Sequence, residues 1–247
     1  METRSEQTPS IKATMDAPIQ IKHRHPWLRR VASLALLVLA SLLLAIVAFR
    51  FVNPPINPVM IAEKLRGKTL GPKHWVQLTD ISRDLPLALI ASEDGRFCDH
   101  WGVDWGGVRD AILEGGGVGG FRGASTIPMQ TVKNLYLWPE RSYVRKVLEV
   151  PLAYLLSALW PKKIVMETYL NIAPWGRGTV GAEAASRRYF HKGAGALTRR
   201  EAALLVAALP APNLRNPAKP SPRMLGIAQS IERKMLIPAS RSACLSP

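Results

Sequence analysis

The chain has 247 residues, of which 47% are hydrophobic, and it carries a net charge of +15. This length accommodates one sizeable folded domain and a further segment. The charge and the apolar content together indicate an anionic partner and a membrane. Nucleic acid is the first partner that such a charge suggests, but the export inferred from the N-terminal segment argues against it.

The N-terminal segment predicts a membrane anchor. Residues 1–30 are polar and without periodicity, which is typical of a disordered basic tail. Val31–Phe49 gives nineteen uncharged residues, enough to cross a hydrocarbon layer of roughly 30 Å, and we predict an anchor over 31–51. A cleaved signal peptide is the alternative. It is disfavoured because the apolar run is too long and lacks a convincing small-residue cleavage site.

The charges beside the anchor predict its orientation. Only Arg50 follows the apolar run directly, whereas four basic residues lie close before it: Lys22, Arg24, Arg29 and Arg30. Basic residues stay in the cytoplasm, so we expect a single-pass inner-membrane protein with its N-terminus in the cytoplasm and the remainder in the periplasm. From residue 51 onward the chain has 26 Lys and Arg against 15 Asp and Glu, so the net charge of this part is still +11.

The chain contains two cysteines, Cys98 and Cys244. A disulfide is conceivable outside the cytoplasm. Cys244, however, lies in a tail rich in Ser, Pro and Arg that looks unstructured. We therefore expect two free thiols, or at most an incidental bond.

The exported part is predicted to be mainly helical. Proline-rich residues 53–58 predict an extended spacer, and residues 61–78 allow a brief strand or two. The prolines after 210 indicate a C-terminal segment that wraps around the domain or is loose. Helices are predicted to begin near Asp84, Trp105, Ser125 or Thr126, Arg141, Lys163, Ala182 and Glu201, from their caps and apolar spacing.

Glu93 and Asp94 are the first candidate site. Asp84 and Pro86 look like a helix start, which places Glu93 about two turns into the helix. A carboxylate half-screened by apolar neighbours has a raised pKa and suits a general base. The alternative is that both acids are solvated and paired with Arg96.

Two later stretches carry further candidates. Residues 115–120 match G-x-G-x-x-G, but without the preceding strand this pattern indicates a flexible loop rather than a dinucleotide site. In the next helix, Gln130 and Lys133 are three residues apart and share a face. The helix after it has an apolar stripe with Glu149 near its edge, and the stripe comprises Val144, Val147, Leu148, Leu152, Leu155, Leu156 and Leu159.

Five ordered motifs resemble the peptidoglycan glycosyltransferase family, which includes monofunctional cell-wall transglycosylases and the N-terminal module of class A penicillin-binding proteins. They begin with Glu93-Asp94-x-Arg96-Phe97 and Gly123-x-Ser125-Thr126, extended to Gln130, Lys133 and Asn134. They continue with Arg141-Ser142-x-x-Arg145-Lys146-x-x-Glu149, trailed by Glu167-x-Tyr169-Leu170-Asn171, then with Gly181-Ala182-Glu183 and Glu201-Ala202-Ala203. The resemblance covers roughly 73–217 and is closest to the monofunctional members.

The resemblance implies a lysozyme-like, two-lobed helical domain that polymerises lipid II. The expected division is a tail over 1–30, an anchor over 31–51, a linker over 52–72, the glycosyltransferase domain over 73–222 and a C-terminal tail over 223–247. By resemblance, Glu93 is the general base and Glu149 is the second, assisting acid. The substrate-binding residues would be Asp94, Arg96, Ser125, Gln130, Lys133, Arg141 and Arg145.

The chain departs from the family pattern at a few positions. Gly95 replaces a common Arg, Cys98 replaces an aromatic residue, and Ser157 stands where many members have Glu. Pro128-Met129 stands where Thr-Gln is usual, so one amide is missing. None of these changes removes the expected base or the two expected cations, Lys133 and Arg141.

The expected partners are lipid II, the growing glycan chain, membrane lipid and other proteins of wall synthesis, with no nucleic acid. No organic cofactor is expected. The resemblance allows a divalent cation, Mg or Mn, beside the pyrophosphate, although the sequence shows no dedicated ligand cluster. Two alternatives stay open: a lysozyme-like enzyme that cleaves peptidoglycan, and an inactive scaffold that binds lipid II.

Overall fold

The structure is a computed structural model that describes residues 26–70, 74–115, 125–140, 142–176, 178–236 and 239–245. The chain divides into two compact units, Met1–Leu43 and Leu44–Pro247. The glycine-rich stretch 116–120 and Arg141, both named in the sequence analysis, lie outside the described residues.

The described part of the first unit is formed by helix α1, Pro26–Ala48, whose last residues enter the second unit. Its mean hydropathy of 2.8 and its 23 residues make it long and apolar enough to cross a membrane. At 1.5 Å per residue it spans about 35 Å. Within the described residues, the helix extends five residues before the apolar run, from Pro26. The predicted N-terminal apolar helix is confirmed.

The second unit is mainly helical, as the sequence predicted. Two short strands, β1 (Pro174–Gly176) and β2 (Thr179–Val180), pair antiparallel. The helices are α2 (Pro58–Leu65), α3 (Asp84–Glu93), α4 (Trp105–Gly115), α5 (Ile127–Tyr136), α6 (Tyr143–Leu159), α7 (Lys162–Ile172), α8 (Ala182–Phe190), α9 (Arg199–Ala208) and α10 (Pro222–Lys234).

Helices α3, α9 and α10 contact one another, and α5 contacts both α6 and α7. Every residue of α9 from Ala202 to Ala208 is buried, so this helix lies in the core. Its predicted capping box is present: Thr198 N donates to Glu201 Oε2 at 2.8 Å, and Glu201 N donates to Thr198 Oγ1. This packing holds α3, whose last residue is Glu93, against a rigid core.

Residues 58–65 form a helix where the sequence analysis expected few regular elements. Asn57 is the N-cap, and its Oδ1 accepts a hydrogen bond from Met60 N at 2.8 Å. Pro58 occupies the first turn, where a missing N–H costs nothing. The proline that suggested an extended spacer is therefore a helix-start signal. The two strands lie at 174–180, and no strand occurs in the described parts of 61–78, which are 61–70 and 74–78.

The apolar stripe predicted on α6 is divided between the core and the surface. Val144 and Val147 are 65% and 70% exposed, while Ala153 and Leu156 are buried. Glu149 is buried as well, on the side that contacts α5. Helical spacing identified the apolar residues but could not show which side of the helix the neighbouring elements cover.

The C-terminal segment contains helix α10 rather than being loose. Met224, Ala228 and Ile231 are spaced three and four residues apart and are buried. A short 3-10 helix, Ala239–Leu245, follows, and Cys244 forms a disulfide with Cys98 across a sequence separation of 146 residues. The expectation of two free thiols was wrong, because α10 docks on α3 and α9 and fixes the course of the chain beyond it.

We expect the Cys98–Cys244 disulfide to stabilise the fold by about 2–5 kcal/mol, because it closes a very long loop in the unfolded chain. Reduction of the wild type should lower the midpoint of guanidinium unfolding in detergent. Cys98→Ser should show the same low midpoint with and without reductant, which makes it the control. An unchanged wild-type midpoint after verified reduction would contradict this expectation.

Candidate active site

Glu93 ends α3 and lines a cavity of about 190 Å³. Leu89 and Ile90, within the preceding turn, are fully buried and fix the backbone that carries it. The predicted helix start at Asp84 is confirmed, so the carboxylate lies where the sequence expected it. The cavity is lined by Ser92, Glu93, Asp94, Gly95, Asp104, Gly107, Ser125 and Thr126.

Burial raises the pKa of the Glu93 carboxyl above its usual value. Three groups partly oppose this shift because they favour the charged form. The Gln130 amide donates to Glu93 Oε2 at 3.1 Å, the positive charge of Lys133 attracts the carboxylate, and the Ser92 side chain contributes a hydrogen bond. The result is a carboxyl group that is more basic than a solvated one, as a general base requires.

Asp94 makes its contacts with the protein itself. Its Oδ2 accepts a hydrogen bond from Ile127 N at 2.9 Å, which satisfies the first turn of α5, and its Oδ1 lies 2.8 Å from His100 Nε2. The side chain is buried. Asp94 therefore ties α3, α5 and the intervening loop together; binding of substrate by Asp94 stays a prediction.

Arg96 points its guanidinium fork at Asp104. The Nε–Oδ2 distance is 3.0 Å and the Nη2–Oδ1 distance is 2.7 Å, a bidentate pair. The Arg96 side chain is about half exposed. Its contacts in the structure are thus those of a surface ion pair at the cavity rim, and its predicted contact with substrate is not tested by them.

Helix α5 begins with the expected cap. Of the two candidates, Thr126 is the N-cap, because its Oγ1 accepts a hydrogen bond from Met129 N at 3.3 Å. The two residues that depart from the family pattern fit this position. Pro128 lies in the first turn, and Met129 is buried in the core. The missing amide is thus replaced by apolar packing.

Lys133 lies one turn after Gln130 on α5. Burial lowers the pKa of its ammonium group, and the charges of Arg145 and Lys146 lower it further, while Glu149 and Glu93 oppose the shift. In the part of the chain that the structure describes, the Lys133 side chain has neither a hydrogen bond nor an ion pair. A largely buried cation without a partner among these residues is suited to receive an anion.

Glu149 holds two cations of its own helix. Its Oε1 pairs with Arg145 Nη1, and its Oε2 lies 3.0 Å from Lys146 Nζ. Lys146 Nζ also donates to Ser125 Oγ at 2.6 Å. Ser142 is the N-cap of α6, which confirms the predicted helix start. Buried Glu149 thus connects Ser125 and the two cations.

The structure brings Glu93, Gln130, Ser125 and the cations of α5 and α6 together. Glu93 and Lys133 affect each other's pKa, and Lys133 likewise interacts with Arg145. Arg141 lies outside the described residues, so its place near this group stays a prediction.

Two contributors were missing from the predicted site residues. Lys146 had a local signal, because it precedes Glu149 by three residues on one helix. Tyr169 lies in one of the family motifs, but no local signal linked it to Gln130, whose Oε1 is 3.1 Å from the Tyr169 hydroxyl, because 39 residues separate the two in sequence.

No group of three or more His, Cys, Asp or Glu side chains suited to a metal ion occurs among the described residues. Beside the cavity, the carboxylates of Asp94 and Asp104 are already engaged with protein groups. These residues do not provide a ready site for a divalent cation, and the Mg or Mn ion that the resemblance allows is not tested by the structure.

A mainly helical fold, an N-terminal helix apolar enough to cross a membrane, and a carboxyl group of raised pKa near a cation that has no partner among the described residues are the features that define the class of this protein. The family model described as Transglycosylase matches residues 62–236. The chain belongs to the transglycosylase family and is an enzyme that transfers glycosyl groups.

Relatives described as biosynthetic peptidoglycan transglycosylases match most of the chain. The protein of Rhodospirillum centenum is 46% identical over 211 residues, which is 85% of this chain and 91% of the relative. That of Brucella suis is 46% identical over 204 residues, 81% of this chain and 90% of the relative. That of Pasteurella multocida is 43% identical over 205 residues, 81% of this chain and 83% of the relative.

Proposed function

We propose that this enzyme is a peptidoglycan glycosyltransferase that polymerises lipid II into glycan strands and releases polyprenyl pyrophosphate. The observation that carries the proposal is the pairing of two groups in one site. Glu93 is a carboxylate with a raised pKa, and Lys133 is a nearby ammonium with no partner among the described residues. A base and an anion-binding cation are what transfer from a pyrophosphate-linked donor requires.

In the proposed reaction, Glu93 takes the proton from the 4-hydroxyl of the acceptor sugar. The hydroxyl oxygen attacks C1 of the donor, and the bond from C1 to the pyrophosphate oxygen breaks. The leaving group departs with the bonding electrons, and attack from the opposite side inverts the configuration at C1. A positioned base contributes about 10²–10⁴-fold to the rate of such a step.

The cations of α5 and α6 would stabilise the charge that develops on the departing pyrophosphate. Preorganised charges aimed at a developing negative charge are more effective in a site shielded from water than in bulk solvent. Lys133 is available for direct contact, and we propose that Arg141 joins it. Arg145 and Lys146, held by Glu149, would supply the surrounding positive potential.

This set of cations favours polymerisation over the two alternatives. An enzyme that cleaves glycan strands has no pyrophosphate to hold, so Lys133 would have no anion to receive. An inactive scaffold would need the cations but not a carboxylate whose pKa burial raises.

We further propose a single-pass protein of the bacterial inner membrane with its N-terminus in the cytoplasm and its catalytic domain in the periplasm. The apolar helix α1 and the basic residues before it support this topology. Lipid II and the growing glycan would be the partners, together with membrane lipid and other wall-synthesis proteins. The substrate stays in the membrane, and an anchor would keep the active site beside it. This raises the effective concentration of the substrate at the site.

The test uses the full-length protein in detergent with purified lipid II. Glycan strands resolved on a gel, release of polyprenyl pyrophosphate and an inverted anomeric centre in the product would support the proposal. Soluble muropeptides released from purified sacculi would instead indicate the cleaving enzyme. Binding of labelled lipid II without turnover would indicate the scaffold.

A further inference from the structure

Tyr169 lies behind the site, on α7, and is 1% exposed. Its hydroxyl is 3.1 Å from Gln130 Oε1, and Gln130 Nε2 is 3.1 Å from Glu93 Oε2. Gln130 Nε2 also donates to Ser125 O at 3.4 Å. A chain of two hydrogen bonds therefore joins a fully buried phenol to the carboxylate at the cavity.

Donor and acceptor chemistry fixes the direction of this chain. An ionised carboxylate and a backbone carbonyl only accept hydrogen bonds, so the amide nitrogen of Gln130 must face Glu93 and Ser125. The amide oxygen then faces Tyr169, whose O–H donates to it. Burial and the charge of Glu93 raise the pKa of Tyr169 well above its usual value, so the phenol keeps its proton and remains a donor.

Helix α7 itself is held firmly at this point. Glu167 accepts hydrogen bonds from Trp75 Nε1 and Leu78 N, each at 2.9 Å, and Asn171 Oδ1 accepts one from Val76 N at 2.9 Å. Glu167 lies two positions before Tyr169, and Asn171 lies two positions after it. The phenol is thus presented to Gln130 by a helix that both neighbours anchor to the segment before α3.

We propose that Tyr169 is a positioning residue for the base: it locks the Gln130 amide, and the locked amide holds Glu93 with one oxygen bonded and the other directed to the acceptor hydroxyl. This inference rests on the proposed function of Glu93. It gives Gln130 the role of orienting the Glu93 carboxylate, in addition to the contact with substrate that the resemblance implies.

Tyr169→Phe removes the O–H group and keeps the ring, so it tests the proposal with little change in packing. An unlocked amide donates less well to the Glu93 carboxylate, and the kcat for polymerisation should fall about tenfold, the effect of losing roughly one hydrogen bond. The KM for lipid II should change less than about twofold. The acidic limb of the kcat/KM profile should move to higher pH, because the charged form of Glu93 loses support.

Tyr136→Phe is the matched control. The Tyr136 hydroxyl is also buried, but it has no hydrogen-bond partner in the described residues. Its removal should leave kcat and the pH profile unchanged. In a Gln130→Leu background, Tyr169→Phe should cause no additional shift of the acidic limb, because the amide through which it acts is already gone.

A second measurement separates this inference from the role of Glu93. The titration of Glu93 can be followed by NMR of protein with ¹³C-labelled glutamate carboxyls, with Glu93→Gln identifying the signal. We expect the pKa of Glu93 to rise in Tyr169→Phe and the acidic limb to follow it. An unchanged titration overturns the positioning role of Tyr169. A shifted titration with an unmoved acidic limb refutes Glu93 as the base, and with it the catalytic part of this inference.

Discussion

Replacement of Glu93 by glutamine is expected to lower the rate of glycan polymerisation by about 10²–10⁴-fold. Glutamine has the same shape but accepts no proton at neutral pH, so the acceptor hydroxyl would attack without a base. Binding of labelled lipid II should be nearly unchanged, because the cations of α5 and α6 are intact. The measurement is the initial rate of polymer formation by the full-length protein at saturating lipid II.

Glu232→Gln is the matched control for this substitution, because Glu232 forms an ion pair with Arg200 rather than lining the cavity. It should retain the wild-type rate. The acidic limb of the wild-type profile should lie above the ordinary glutamate value of 4.5, since burial raises the pKa of Glu93. A Glu93→Gln variant that polymerises at the wild-type rate would exclude Glu93 as the base.

The same substitution should stabilise the fold at neutral pH. The pKa of Glu93 is raised in the folded state, so its contribution to stability is fully present below the unfolded-state pKa and is lost as the pH rises through the folded-state pKa. Above its folded-state pKa the wild type therefore carries a partly buried charge that the neutral amide of the variant lacks. Guanidinium unfolding should show the higher midpoint for Glu93→Gln at pH 7 and a smaller difference at pH 4.

Replacement of Lys133 by methionine is expected to lower kcat/KM by about 10²–10³-fold, the usual effect of removing one preorganised group that stabilises transition-state charge. Methionine fills similar space and should leave the fold intact, because no hydrogen bond or ion pair of Lys133 within the described ranges would be lost. The affinity for polyprenyl pyrophosphate should fall as well, which a competition assay against labelled lipid II measures.

Lys234→Met, at an exposed position on α10, is the control for this second substitution and should behave as wild type. Lys133→Arg keeps the charge and should retain part of the activity. Burial lowers the pKa of Lys133 below its ordinary value of 10.5. As the pH rises, the ammonium should therefore lose its proton, and the wild-type rate should start to fall, before pH 10.5 is reached. A Lys133→Met variant with normal kinetics and a normal affinity for pyrophosphate would exclude Lys133 from the binding of the leaving group.

Local signals predicted much of the site. Asp84, Thr126 and Ser142 begin the helices that carry Glu93, Lys133 and Glu149, and each start lies where its cap or first-turn residue indicated. Such signals are readable because a helix start depends on a few neighbouring residues that satisfy its free N–H groups. The same reasoning misread Pro58, because proline suits both an extended spacer and a first turn.

The sequence by itself determined the helical character of this protein and its apolar N-terminal helix, and its motifs predicted the carboxylate and the cations of the candidate site. Only the tertiary structure decided which groups meet: Tyr169 with Gln130, Lys146 with Ser125, and Cys244 with Cys98. The physical reason is that helix starts and apolar periodicity depend on residues within one or two helical turns of each other. Contacts between residues 21 to 146 positions apart, in contrast, depend on how whole helices pack.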